Sequence, residues 1–181
     1  MNIDLARAPR PHLRLRAVLG AAPASVETLT MWRCVPDISG GERRSPRDAK
    51  RSATYAGRWH HPAETLALYT AETRGLAMSE AAAHFPPGDT PVTVAELQLS
   101  GKRVLRLESV AGSLRWPLAH LLDDGRGYLR AILVGTEACR AGIDILVVPS
   151  AVDLRLHCAV CFMRHRPRIT ILRNTSAVVH A

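Results

Sequence analysis

Period-two alternation of apolar and polar residues is clearest over residues 91–100, PVTVAELQLS, which reads as the firmest strand of the chain. Residues 102–107 form a second strand or extend it. Residues 27–35 repeat the period, with Leu29, Met31 and Val35 alternating with Thr28 and Thr30. Arg33 falls on the Leu29 and Met31 side and is therefore aimed inward. A guanidinium turned toward a core is costly without an anion, so either a ligand or a protein carboxylate meets it. Pro62 keeps the next strand from starting before Ala63, and this strand ends near Tyr69. Leu66, Leu68 and Thr70 face one way in it, and Ala67, Tyr69 and Ala71 the other.

After Thr73 the period changes to that of a helix. Thr73 is placed to cap it, Leu76, Ala77, Glu80, Ala81 and His84 share one face, and Pro86, Pro87 and Gly88 stop it. Glu80 thus lies on the apolar stripe, either as a functional acid or as a partner of Arg33 or Arg58. A second helix is expected over residues 128–141, with Leu129, Ile132, Leu133 and Thr136 inside and Gly142 closing it. Residues 143–148 read as a central strand that delivers Pro149 and Ser150 to its end. Residues 158–163 and 168–173 read as a strand, a tight turn containing Pro167 and a return strand. Signals over residues 111–125 conflict, apolar enough for a helix but broken by Pro117.

This pattern divides the chain into a loosely ordered arm (residues 1–26) with a short helical turn near residues 13–19, one domain (27–173) and a tail (174–181) with no assigned role. At 181 residues one domain buries roughly two-thirds of its unfolded surface, enough for a core. The formal net charge is +8, and only Lys50 and Lys102 are lysines, so arginine supplies nearly all the positive charge. Coding bias explains such a composition. So does a phosphate-bearing or acidic partner, because guanidinium forks match phosphate oxygens in pairs. Residues 36–56, with Arg43, Arg44, Arg47, Lys50 and Arg51, read as a mobile basic loop, either simply solvated, a flap for an anionic substrate, or a docking surface. Aromatic residues are 4% of the chain, too few for base-stacking platforms, which argues against direct nucleic-acid binding.

Cys34, Cys139, Cys158 and Cys161 do not make a disulfide framework in a chain of this size and fit a reducing cytosol. The lone CxxC of Cys158 and Cys161 lies in a strand and lacks a second pair, so no metal is expected. No apolar run reaches the ~20 residues of a membrane span. The arginine-led N-terminus has too short an apolar part for an export signal, and the expected location is the cytoplasm.

The chemistry concentrates in residues 55–84. A turn carries Gly57, Arg58 and Trp59, the strand ending near Tyr69 follows, and then comes the helix bearing Glu80. An anion-binding group, an aromatic ring and a carboxylate are thereby brought close, which suits an anionic ligand containing a ring. Trp59 is read as packing in the core in preference to stacking on the ligand. His60 and His61 read as surface imidazoles, with His60 placed by the turn to touch a ligand. Ser150 has no visible His and acid to activate it and is not read as a nucleophile.

These residues, taken in order, resemble the RES domain family. Trp32-Arg33 matches its early aromatic-Arg pair, Gly57-Arg58-Trp59 its GRW turn, Leu68 to Ala71 its LYTA-like strand, and Ala77 to Glu80 its AxxE helix. Val148 to Ala151 matches its VPSA segment and Arg166-Pro167 its late turn, so the likeness spans roughly residues 29–173. His60 and His61 stand where the family usually has asparagine and its neighbour. The resemblance implies an α+β domain similar to the ADP-ribosyltransferase fold, with central β-sheets flanked by helices. It also implies the toxin half of a bacterial toxin-antitoxin pair that cleaves NAD by phosphorolysis or hydrolysis, with inorganic phosphate as a co-substrate in the former. The implied partner is an antitoxin with a helix-turn-helix-like domain. Within that reading Arg33 and Arg58 grip the diphosphate, Tyr69 packs on nicotinamide, His60 contacts the ligand, and Glu80 stabilises the ribose cation. Ser150 then bonds the ligand or orients Glu80. The alternatives are transfer of ADP-ribose to a protein, and an inactive protein of this fold that binds a partner or nucleic acid.

Overall fold

The computed structural model describes residues 12–37, 45–54, 56–85, 88–114, 116–122 and 128–180. Its elements in chain order are α1 (Leu13–Ala21), β1 (Ser25–Pro36), β2 (Ala67–Ala71), α2 (Arg74–Ala82), β3 (Asp89–Arg106), α3 (Leu118–Leu122), α4 (Leu129–Arg140), β4 (Ile145–Pro149), β5 (His157–Phe162) and β6 (Arg168–His180). The strands follow the order β1-β2-β5-β4-β3-β6, and β1 also pairs with β3. β3 organises the fold. Residues 92–104 of β3 pair antiparallel with β1 and residues 89–100 with β6, whereas its last three residues run parallel to β4. One run of residues from Asp89 to Arg106 therefore serves two groups of strands, β1-β3-β6 and β2-β5-β4.

Between the groups lies a core of Met31, Leu68, Leu97, Leu99, Ile145 and Cys161. The other face of β2, β5 and β4, bearing Ala67, Val160, Phe162, Leu146 and Val148, packs with Leu19 of α1 and Val134 and Ala138 of α4. α2 covers the far side of β3, where Met78 and Ala82 meet Val92 and Val94. The alternation of β2 matches the expected one: Leu66 and Leu68 join the inner core, while Ala67 and Tyr69 face α4.

Several boundaries differ from those expected. The arm contains α1, whose Leu19 is fully buried and whose Arg16 bonds the buried carboxylate of Glu137 at 2.8 Å; residues 1–11 lie outside the described residues. Arg140 also pairs with Glu137, at 2.7 Å, and with Glu64. Burial would raise the Glu137 carboxyl, but bonds from Arg16, Arg140 and the His12 N–H outweigh it and hold it low. The tail is strand: residues 174–180 complete β6 against residues 95–89 of β3, a long-range pairing that alternation alone does not reveal. In α4, Leu129 is 55% exposed, because the buried face is set by Ala131, Val134, Gly135 and Ala138, small residues that admit the GRW turn. Gly142, at φ 84°, ends that helix as expected. In the segment of conflicting signals, residues 107–113 form a 3-10 turn and Leu118–Leu122 form the short α3, while residues 115 and 123–125 lie outside the described residues. Residues 45–54 of the basic loop are anchored by the buried Ala49; Arg43 and Arg44 lie outside the described residues.

Candidate active site

β1 and β2 meet through a single pair, Trp32 with Ala71. A cavity of about 690 Å³ lies at this split, lined by Trp32, Arg33, Arg58, Tyr69, Glu80, Tyr128, Ser150 and Cys158 among others. That volume falls within the range of about 300–1,000 Å³ typical of small-molecule sites.

Glu80 reaches the cavity because the helix carrying it is set as the sequence implies. The Thr73 hydroxyl oxygen accepts a bond from the Leu76 N–H at 3.1 Å, and Leu76 and Ala77 are buried on the same stripe. The Glu80 carboxylate meets Ser150, at the end of β4, whose hydroxyl donates to Oε1 at 2.6 Å. Ser150 is 1% exposed, and its oxygen accepts from the N–H groups of Val152 and Asp153 at 3.0 and 3.3 Å. With its lone pairs taken from one side, its proton points at Glu80. This geometry places Ser150 to orient Glu80. No ion pair to Glu80 exists among the described residues.

Arg33 is half-buried, as its place in the alternation requires, and donates to the carbonyls of Asp48 (3.0 Å) and Tyr69 (3.4 Å). No carboxylate lies within ion-pair distance of it among the described residues. Burial lowers it to about 10, with Cys161 and Asp48 opposing, so it stays cationic at neutral pH. Its charge is therefore available to an anion in the cavity. Arg58 donates to the Leu122 carbonyl at 2.5 Å and stacks 4.5 Å from the centre of the Tyr128 ring.

The GRW turn is tied down by Tyr69 and His60. The Tyr69 hydroxyl accepts from the Trp59 N–H at 3.0 Å and lies 2.9 Å from His60 Nδ1. His60 Nε2 faces the Ser52 carbonyl at 3.0 Å and must carry the proton there; Nδ1 then accepts from Tyr69 and from the Gly57 N–H at 3.1 Å. A Cβ on Gly57 would sit 2.5 Å from the Tyr69 hydroxyl oxygen, so this knot requires glycine. One expectation changes as a result. His60 and His61 are 2% and 3% exposed, not surface groups, because the turn is pressed against α4. His60 lines the cavity, and both its ring nitrogens are engaged by the protein, which makes it a brace of the turn. Trp59 is in the core, as expected.

Sequence reasoning missed two residues at the cavity. Cys158 donates its thiol to Glu80 Oε1 at 3.6 Å, and burial, followed by the Glu80 charge, pushes that thiol up to about 12. Tyr128 has a left-handed backbone, φ 61°, at the start of α4 and presents its ring to Arg58. The alternation of β5 places Cys158 on the face of Val160 and Phe162, a usable signal, whereas nothing in the sequence marks the unusual backbone of Tyr128. Cys161 is on the opposite face of β5, so the two thiols of the CxxC do not converge.

Beside Ser150, the N–H of His157 and its Nδ1 bond Glu72 Oε2 at 2.8 and 3.1 Å, and its Nε2 bonds Glu108 at 3.0 Å. Burial would lower the imidazole, but bonds and charges from Glu108 and Glu72 outweigh it and the net displacement is upward. A raised folded value means that this clamp stabilises fully below the unfolded histidine value of about 6.5 and is lost as pH rises through the folded value. The melting-temperature difference between wild type and His157→Asn should accordingly be largest in mild acid and shrink with rising pH. A difference that grew with pH would contradict this assignment.

A family model described as the RES domain matches residues 30–178. The chain also aligns with a chain in the crystal structure of the M. tuberculosis MbcT-MbcA toxin-antitoxin complex, with a TM-score of 0.73 and 16% identity, covering 92% of this chain and 93% of that one. No curated protein matches it. At that identity the structural likeness is one of fold: an α+β domain with a central sheet and flanking helices. The family match, which takes in the Trp32-Arg33 pair, the GRW turn, Glu80 and Ser150, shows that the chain belongs to the RES domain family.

Proposed function

We propose that this chain is a toxin-type enzyme that cleaves the nicotinamide–ribose bond of NAD, by phosphorolysis or hydrolysis, and is held in check by an antitoxin protein with a helix-turn-helix-like domain. The observation that carries the reading is a carboxylate, Glu80, bonded by Ser150 in the wall of a cavity whose half-buried Arg33 has no carboxylate within ion-pair distance among the described residues. Glycosidic cleavage passes through an oxocarbenium-like state in which positive charge grows on the ribose. A carboxylate fixed beside that sugar stabilises the charge. The C1′–N bond breaks with its electrons going to nicotinamide, which leaves neutral and needs no proton. Water or phosphate then supplies the oxygen that bonds C1′, and a proton from water passes to solvent. A single acid suffices.

Arg33 and Arg58 bind the diphosphate by charge-assisted bonds. The Tyr69 ring lines the nicotinamide end while its hydroxyl holds the turn that carries Arg58. His60 lines the cavity beside that turn and touches the ligand from there. The likeness to a toxin-antitoxin complex supports the class of partner, and the family match supports NAD as substrate.

The test is incubation of purified protein with NAD, with and without inorganic phosphate, and identification of products by mass. Nicotinamide with ADP-ribose means hydrolysis, and a phosphorylated ADP-ribose means phosphorolysis. Unchanged NAD under both conditions overturns the reading. Arg33→Ala should raise KM for NAD by about 10- to 100-fold, the loss of one or two charge-assisted bonds, with a smaller effect on kcat. Steady-state kinetics check this, and an unchanged KM would remove Arg33 from the diphosphate site.

A further inference from the structure

We propose that Cys158 is a positioning residue for Glu80: its thiol and the Ser150 hydroxyl together occupy Oε1, so that Oε2 is the oxygen presented to substrate. This deepens the NAD-cleaving reading and rests on it. Both donors converge on the same atom, Ser150 Oγ at 2.6 Å and Cys158 Sγ at 3.6 Å, and Oε2 has no hydrogen bond among the described residues.

The sheet explains the convergence. Cys158 on β5 is paired with Val148 on β4 and with Ala71 on β2, so it stands between the strand that ends in Ser150 and the strand that leads into α2. Any shift of α2 relative to β4 is felt at both donors. Two donors from neighbouring strands fix the plane of a carboxylate, where one would leave it free to turn about its hydrogen bond. The raised thiol stays protonated at neutral pH and therefore remains a donor. It is correspondingly a poor nucleophile.

The experiment has two arms. The first needs no turnover. The S–H stretching band of Cys158, identified by subtracting the Cys158→Ser spectrum, should be displaced and broadened in wild-type protein and move toward higher frequency in Glu80→Ala, where only the weaker Ser150 hydroxyl remains beside the thiol. An identical Cys158 band in wild type and Glu80→Ala overturns the contact. In the second, Cys158→Ala should lower kcat for NAD about fivefold, the factor for one ordinary hydrogen bond, with KM unchanged, and Cys158→Ser should restore it. Wild-type kcat in Cys158→Ala, or a serine variant as slow as the alanine one, overturns the positioning role. Absence of NAD cleavage by wild-type protein would instead sink the functional reading, and the infrared arm would still decide the contact.

Discussion

Glu80→Gln is expected to slow NAD cleavage by about 100- to 1,000-fold, the size of effect seen when one preorganised group facing developing charge is removed. The amide keeps the shape of the side chain and can still accept from Ser150 and Cys158, so the site should stay assembled. What is lost is the negative charge beside the ribose. In the proposed site NAD is held by Arg33 and Arg58, so its binding should change little, and the loss should belong to kcat and leave KM close to wild type. Measured kcat and KM for the two proteins decide the point. A glutamine variant that turns over at the wild-type rate would show that the charge of residue 80 takes no part in the reaction.

Gly135→Ala should be the most damaging single-methyl change to the fold. A Cβ at this position would stand 1.9 Å from the carbonyl oxygen of Trp59 and 2.6 Å from its carbon, both backbone atoms that cannot rotate aside. α4 or the GRW turn must move. In an exposed helix the same substitution would stabilise by about 1 kcal/mol. Here overpacking costs about 1–3 kcal/mol or more and reverses the sign. For a chain of this size, a net loss of about 2 kcal/mol lowers the melting temperature by about 4–8 °C. Calorimetry checks it, and an unchanged or raised melting temperature would refute the close contact. Displacing Trp59 also disturbs Arg58 and His60, so NAD affinity should fall as well. Leu129→Ala, at the exposed start of the same helix, is the matched control with little effect on either.

How much of this could be read from the sequence depends on the reach of each signal. Arg33 was legible because β1 is long enough for period two to assign its side, and Glu80 because Thr73 sets the phase of α2. The alternation of β2 was legible because Leu66, Leu68 and Thr70 interleave with Ala67, Tyr69 and Ala71. The partners of Ser150 and Cys158 were harder, since β5 lies between β2 and β4, strands separated by more than seventy residues, and no local pattern states which strands adjoin. His60 was misread because burial of the turn depends on Gly135, a residue far along the chain whose missing side chain admits Trp59. Residues 174–180 were misread as a tail because their pairing partners, residues 95–89, lie 79 to 91 residues earlier. Leu129 was placed inside by its spacing, yet small residues set the buried face of α4.

A crystal structure of Glu80→Gln soaked with NAD examines the central claim most directly, because the slowed variant should hold intact dinucleotide. Density should show the diphosphate against Arg33 and Arg58, with the nicotinamide-bearing ribose beside residue 80. NAD bound elsewhere on the protein, or lying in the cavity with its ribose remote from residue 80, would contradict the account.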